Sequence, residues 1–186
     1  MFRLFYRRKP EELQGHRLFE QCVAVSRADE FYSEMNVPDS FDGRFEMLVV
    51  FSSMVMRRLN VIGSDAAKAT AQALFDEMFA NMDLSLREQG VGDLSVAKQI
   101  KRMIGGFYGR GESYDEALKA RNMDAMTEAL LRNVYGTVHP DVDCSGDAGK
   151  LVARIFIFED MIEHVSEAVL MGQENGMLFE EQKVAA

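Results

Sequence analysis

The segment LREQGVGDLSV, residues 86–96, joins two long stretches of helical periodicity and sets the angle between them. Before it, apolar residues recur every three or four positions: Ala71, Leu74, Phe75, Met78, Met82 and Leu86. After it, the same spacing continues in Val96, Ile100, Met103, Ile104 and Phe107. Gly90 is placed to end the first helix in the left-handed conformation, which glycine adopts without a side-chain clash. Asp93 or Ser95 is placed to accept hydrogen bonds from the free N–H groups of the second helix. The segment therefore predicts a tight corner between two core helices.

Length and composition indicate a single soluble domain. A chain of 186 residues with 47% hydrophobic and 27% charged residues is large enough to bury a core without disulfides or metals. The net charge of −9 argues against DNA as a partner, because phosphate contacts need a dense basic surface. Cys22 and Cys144 lie far apart in the sequence. A disulfide between them stays open, but we expect free thiols in a reducing compartment.

The two ends of the chain differ from its middle. Residues 1–10 combine cations with bulky apolar side chains and predict a mobile basic tail, which either sits on an anionic membrane face or has no role. Residues 11–172 form the helical domain, and the acidic residues 173–186 are expected to fray. The longest apolar run, Met47 to Met56, is too short to span a bilayer. The sequence thus predicts a cytoplasmic protein, with peripheral contact at the inner face of the membrane as an option.

The periodicity along the whole chain predicts an all-α, single-domain bundle of roughly seven helices. The Val152–Phe158 stretch is strand-like in composition, but a longer helical stripe through Val169 favours a helix. Gly105, Gly106, Gly109 and Gly111 predict either a kink or a close approach of another helix. The remaining helices are expected at Glu11–Ala28, Asp29–Met35, from Asp39 or Ser40 to Arg58, Ala66–Glu88, Val96–Ala120, and from Asn122 or Asp124 to Tyr135, with a long loop from Gly136 to Gly149.

No stretch of the sequence carries a catalytic signature. The glycines near residue 90 lack the strand and the spacing of a phosphate-binding loop, and no Ser or Cys nucleophile motif is present. Asp160 and His164, like Glu159 and Glu163, share a helix face at four-residue spacing. A di-metal carboxylate bundle would need a Glu-x-x-His pair on two helices. The rival hypothesis is a small helical enzyme or a metal- or cofactor-binding bundle built around these acidic residues.

Charged residues beside the corners have two interpretations. Asp83 and Arg87 form an ordinary helix pair. Asp42 is expected to meet Arg110 or Arg132 across helices, and Glu88 is expected to meet Arg44. These residues either lock the angles between helices or face a partner. The clearest basic stripe is Lys98, Lys101 and Arg102, which is either a solvated helix face or a partner surface.

Four stretches carry a resemblance to a known family. They are the corner REQGVGDLSV (87–96); Tyr32 with VPD (37–39) and FDGRF (41–45); FYGR (107–110) with Tyr114-Asp115; and LRNVY (131–135). In this order and spacing, from about Leu18 to Tyr135, they resemble the ubiquinol–cytochrome c chaperone family. Asn81 and Gln89 depart from the family pattern, which has an acid and an apolar residue at these positions.

The resemblance implies an assembly factor of the cytochrome bc1 complex that is not an enzyme and holds no cofactor. Its partners would be nascent or unassembled cytochrome b or another bc1 subunit, with the ribosome near its exit site and the inner membrane as further contacts. The candidate partner surface comprises Lys98, Lys101, Arg102, Arg44, Arg87 and Arg110. The family-motif residues given a structural role are Asp39, Asp42, Gly43, Glu88, Gly90, Gly92, Asp93, Tyr108, Gly109, Arg132 and Asn133.

Overall fold

A computed structural model describes residues 8–136 and 143–179, and all regular structure in these ranges is helical. This confirms the all-α, single-domain bundle. Five helices have at least 17 residues and three are shorter within these ranges. The elements are α1 (Pro10–Ser26), α2 (Asp29–Ser33), α3 (Phe41–Ile62), α4 (Asp65–Glu88), α5 (Asp93–Lys119), α6 (Met123–Leu130), a π-helical turn (Leu131–Tyr135), α7 (Ser145–His164) and α8 (Glu167–Leu170).

Helix α3 is the centre of the bundle and packs against α1, α4, α5 and α7. Its residues 45–52 are all buried, because neighbours cover it on every side. The Ser40 side chain caps its start, as expected. Its end was predicted at Arg57 and Arg58, but the helix continues to Ile62 and stops at Gly63, which has φ +71°. Buried Leu59 holds this last turn in the core.

Helix α1 pairs closely with α4. Gly15 makes this approach possible, because a Cβ atom there would lie 2.5 Å from the Cβ atom of Ala73. The helix begins at Pro10, inside the predicted mobile tail, while residues 1–7 of that tail lie outside the described residues. Leu13 is 46% exposed on this helix, while its polar neighbour Gln14 is buried.

Helix α5 runs through its glycines without a break. A Cβ atom added at Gly105 or Gly109 would meet nothing within 4 Å. The expected interruption is therefore absent, and no neighbouring helix approaches at these two positions. Glycine lowers helix propensity but does not end a helix whose opposite face is held by core contacts.

Helix α7 settles the ambiguous segment, since Val152–Phe158 lies within it. It starts at Ser145, so the predicted loop is shorter than expected, and residues 137–142 lie outside the described residues. The chain leaves the helix at Val165, where ψ is 131°, and the stripe to Val169 is broken there.

The segment after Gly172 differs from the expected fraying end. Leu178 and Phe179 are buried against the core, while residues 180–186 lie outside the described residues. In the described part of the chain, none of the helices has the length and apolarity required to cross a bilayer.

Candidate functional site

Backbone hydrogen bonds around Gly90 build the corner between α4 and α5. Gly90 has φ +81°. The Val91 N–H donates to the Leu86 carbonyl at 3.1 Å, and the Gly90 N–H donates to the Arg87 carbonyl at 2.9 Å. These two bonds form a Schellman motif, which closes a helix with a left-handed residue. The predicted conformation of Gly90 is confirmed.

Arg87 spans this corner with its side chain. It pairs with Asp83 on α4 at 2.5 Å and with Asp93 in the first turn of α5. Asp93 and Ser95 were predicted as helix caps, but the cap position is Gly92, and no side chain accepts a hydrogen bond there. The Asp93 carboxylate is directed to Arg87 instead, so the motif residues link two helices through their side chains.

The start of α3 is a second rigid joint. The Gly43 N–H donates to the Ser40 hydroxyl at 3.1 Å. A Cβ atom at Gly43 would lie only 2.0 Å from the carbonyl oxygen of Pro38, so this position requires glycine. Arg44 pairs with Asp39 at 2.5 Å on the surface, and this hydrogen bond lowers the pKa of the Asp39 carboxyl.

A groove of about 560 Å³ lies between the two joints, bounded by the end of α1, the start of α3 and the last turns of α4. We call it the α1–α3–α4 groove. Its apolar lining consists of Val23, Phe41, Phe45, Leu48 and Met82. Its polar and charged lining consists of Ser26, Arg27, Asp39, Ser40, Arg44, Asn81, Ser85, Glu88 and Gln89. A surface of this kind can contact both apolar and polar parts of a polypeptide.

A buried ion pair joins α3 to α5 close to the second joint, the start of α3. Arg110 donates to one carboxylate oxygen of Glu46 at 2.7 Å. Among the residues that the structure describes, the other Glu46 oxygen and the Arg110 Nε have no hydrogen-bond partner. Arg110 lies over Gly106, where a Cβ atom would be 2.1 Å from its guanidinium. Burial raises the pKa of Glu46 to about 7, although the Arg110 charge acts in the opposite direction.

Tyr114, one turn after Arg110, extends this contact to the π-helical turn. Its hydroxyl accepts a hydrogen bond from the Asn133 amide at 3.2 Å. The ring is fully buried. Two of the family stretches are therefore tied together by a tyrosine and an asparagine inside the bundle.

The outer face of α5 carries the basic stripe. Lys98, Lys101 and Arg102 are all exposed, and within the described part of the chain none of them forms an ion pair. Leu94 is 92% exposed and Tyr108 is 62% exposed on the same helix. The helix thus presents free cations together with apolar side chains.

A second ionic cluster, not predicted from the sequence, clamps the end of α3. Arg57 donates to Asp115 of α5 at 3.0 Å and also pairs with Glu159 and Glu163 of α7. Burial raises the pKa of Glu159. From the sequence, Glu159 was considered as part of the rival metal-binding hypothesis.

The end of α7, residues 159–164, does not bring together the ligands that the rival metal-site hypothesis needs. Among residues 8–136 and 143–179, no three His, Cys, Asp or Glu side chains are grouped so that they could hold a metal ion. Asp160 pairs with Arg121 at 2.5 Å. The His164 Nδ1 lies 2.6 Å from the backbone carbonyl of Asp160.

The comparisons with known proteins agree with the motif stretches. The model of the ubiquinol–cytochrome c chaperone family matches residues 33–171. The chain belongs to this family. The crystal structure of the Cbp3 homolog from Brucella abortus is similar with a TM-score of 0.77, at 35% sequence identity over 88% of each chain. No curated protein gives a significant match.

The ubiquinol–cytochrome c chaperone match differs in extent from the resemblance seen in the sequence. The four stretches end at Tyr135, but the match continues through α7 to Met171. It begins at Ser33, so α1 and the segment after Met171 lie outside it.

Two predicted ion pairs of this chaperone chain are wrong. Arg110 pairs with Glu46 rather than Asp42, because Glu46 lies one turn deeper in the core. Arg44 pairs with Asp39 rather than Glu88. The sequence did hold a signal for the buried site, since Glu46 is the single charged residue in the run from 45 to 56.

The remaining motif residues have varied surroundings. Asp42 and Arg132 are exposed, and the negative charge of Asp42 adds to the rise in the pKa of Glu46. The departures from the family pattern, Asn81 and Gln89, both line the α1–α3–α4 groove. The two departures noted in the sequence therefore lie on the same groove.

Proposed function

We propose that this chain is an assembly factor of the cytochrome bc1 complex that works by reversible binding of a membrane-protein client. The client is nascent or unassembled cytochrome b or another bc1 subunit. The observation that carries the proposal is the chaperone-family match over residues 33–171. The similarity to the Cbp3 homolog at 35% identity supports it. In this function no covalent bond is made or broken.

The family stretches support a binding function because they build joints rather than a reaction centre. Gly90 and Gly43 shape backbone turns, and Arg87 and Arg110 pair with acids of neighbouring segments. The α1–α3–α4 groove lies between two of these joints. Its mixed lining supports a role in contacting a client loop.

The direct test is deletion of the gene in its own host. We expect lower ubiquinol–cytochrome c reductase activity and a smaller b-type haem signal in reduced-minus-oxidised spectra of membranes, both restored by the intact gene. Crosslinking of the tagged chain should recover a bc1 subunit. Normal amounts of assembled complex in the deletion strain would contradict the proposal.

The basic stripe on α5 is proposed as the contact with a polyanion. The cytoplasmic protein would meet the anionic inner leaflet or the ribosome near its exit through Lys98, Lys101 and Arg102. Unpaired cations near such a surface contribute about 1 kcal/mol each, and less at high salt. Arg44, Arg87 and Arg110 belong to the same proposed surface, but each already has an acidic partner.

A charge-reversal experiment tests this surface. Replacing Lys98 and Lys101 with Glu should leave the circular dichroism spectrum unchanged, because both side chains are exposed. It should weaken co-sedimentation with anionic vesicles or ribosomes, most strongly at low salt, and Arg102→Glu should deepen the loss. The same reversal at Arg17 and Lys68, exposed on α1 and α4, is the matched control. Equal losses in both pairs would mean that only net charge matters.

The rival function has a separate readout. Metal analysis and absorption spectra of the purified chain should show neither stoichiometric metal nor a bound chromophore. A stoichiometric metal ion that is lost on mutation of Asp160 and His164 would favour a metal-binding bundle and overturn the chaperone assignment.

A further inference from the structure

The segment of residues 173–179 follows α8 and lies on the bundle without forming a helix. Leu178 is 1% exposed and Phe179 is 8% exposed, although Met177 beside them is 59% exposed. Two large apolar side chains near the end of the chain are therefore inserted into the core. We call residues 173–179 the C-terminal strap.

Phe179 completes an aromatic cluster between α2, α3 and α7. Its ring centroid is 5.5 Å from that of Phe51 and 5.6 Å from that of Phe158, with both rings edge-on. Phe31 packs on both partners, at 5.7 Å and 6.3 Å. Without Phe179, the rings of Phe51 and Phe158 would form one wall of an apolar slot.

Two glutamines of α1 hold the end of α8 and the strap that follows it. Gln14 donates to the Leu170 carbonyl at 2.9 Å and so fixes the end of α8. The Leu178 N–H donates to the Gln21 side chain at 2.7 Å, which is the hydrogen bond that ties residues 175–179 to the bundle within the described part of the chain. Most of the attachment is thus the burial of Leu178 and Phe179.

The slot continues into open space. A groove of about 560 Å³ adjoins the strap between α1 and α7, lined in part by Ala24, Val25, Ala28, Met177 and Phe179. The ion pair of Glu30 with Arg154, at 2.8 Å, also lines this groove. The strap fills one part of a longer apolar channel, with room for a longer occupant.

The strap lies outside the family match. That match ends at Met171, whereas Phe51 and Phe158 of the slot lie inside it. Two of the rings that line the slot therefore lie in the matched region, whereas the occupant of the slot lies outside it.

We propose that the slot filled by Leu178 and Phe179 is a binding site for a short, extended, apolar segment of the client, and that the C-terminal strap occupies it until the client displaces it. This inference rests on the proposed function for the nature of the client. The two inserted residues of the strap, Leu178 and Phe179, show which chemistry fits: a branched aliphatic side chain followed by an aromatic ring.

An intramolecular occupant solves a physical problem of such a site. An empty aromatic slot would be an exposed apolar patch and would favour aggregation. A tethered segment fills it at an effective concentration in the millimolar range. Client binding must outcompete the strap, and return of the strap assists client release, because the two are mutually exclusive.

A peptide experiment on the full chain tests the proposal. The probe is a fluorescein-labelled peptide with the sequence of residues 173–186. The receptor is the Leu178→Ala/Phe179→Ala variant, whose strap keeps its length but lacks the two inserted side chains. We expect this variant to bind the peptide at least tenfold more tightly than the wild type does. The Glu174→Ala variant, changed at an exposed strap residue outside the groove lining, should behave like the wild type, and a probe peptide carrying the Phe179→Ala change should not bind.

Hydrogen exchange of the wild type keeps the proposal testable if the double variant fails to fold. The strap must open without global unfolding, so the amides of residues 177–179 should exchange faster than those of residues 47–55 in α3. Exchange of the strap only through global unfolding overturns the proposal, as does a folded double variant that does not bind the peptide. Complementation of the deletion strain separates the two levels. A chain that restores the bc1 complex but shows no slot binding overturns the slot alone.

Discussion

Gly106 offers a sharp test of the buried ion pair, because its role depends on one contact. Arg110 reaches Glu46 by lying across the missing side chain of Gly106, four residues earlier on α5. Alanine at this position would place a Cβ atom 2.1 Å from the guanidinium. The guanidinium must move, and we expect the pair with Glu46 to lengthen or break as it does.

The size of the effect follows from two opposing terms. Replacing glycine with alanine inside a helix stabilises it by about 1 kcal/mol. Leaving buried polar groups such as Glu46 without partners costs about 1–3 kcal/mol. At Gly105 and Gly109 only the first term acts, because nothing lies within 4 Å of the added atom. We therefore expect Gly106→Ala to be less stable than Gly105→Ala or Gly109→Ala by about 1–3 kcal/mol.

Urea unfolding of the three single variants at pH 8 and pH 5.5 measures this difference. The gap should be larger at pH 8, where Glu46 is ionised and needs Arg110, and smaller at pH 5.5, where its carboxyl is protonated. If all three variants gain equal stability at both pH values, the guanidinium moves freely and the pair does not hold α3 against α5.

Three further predictions concern Gly90, the titration of Glu46, and the two cysteines. Gly90→Ala should lower the free energy of unfolding by about 1 kcal/mol, because φ +81° strains any residue with a Cβ atom; Gly90→Asn should lose less, and an unchanged Tm in the alanine variant would contradict the Schellman corner. The raised pKa of Glu46 contributes stability that is present below pH 4.5 and is lost as pH rises through about 7. The free energy of unfolding of Glu46→Gln relative to that of the wild type should therefore increase from pH 5 to pH 8, and a difference that stays constant would contradict the raised pKa. Cys22 and Cys144 are buried free thiols with raised pKa values, so iodoacetamide at pH 8 should modify them only in urea, and rapid labelling of the native chain would contradict their burial.

The helices could be predicted from the sequence because apolar spacing decides them. The corner at Gly90, the Ser40 cap and the helix over Val152–Phe158 all follow from local patterns and are confirmed. Helix ends were less accurate. The end of α3 was placed four residues early, at Arg58 instead of Ile62, because Arg58 suggested a helix terminus while buried Leu59 continues the core face.

The partners of charged residues could not be predicted, because they depend on how helices cross. Spacing identified Asp83 with Arg87, which lie on one helix. It did not identify Glu46 with Arg110, or Arg57 with Glu159, which come together only when α3, α5 and α7 pack. The insertion of Phe179 was missed for the same reason.

Helix α3 has ionic contacts near both of its ends and an apolar contact with the strap between them. Near its start Glu46 is tied to α5, and near its end Arg57 is tied to α5 and α7, so ionic contacts fix the helix at both ends. Buried ion pairs add little stability over apolar packing, but they accept only one geometry. Between these ends, Phe51 contacts the strap residue Phe179 through purely apolar surfaces. Apolar contacts tolerate exchange of one occupant for another of similar size. A rigid frame around an exchangeable apolar contact is the arrangement that the proposed reversible binding of a client requires.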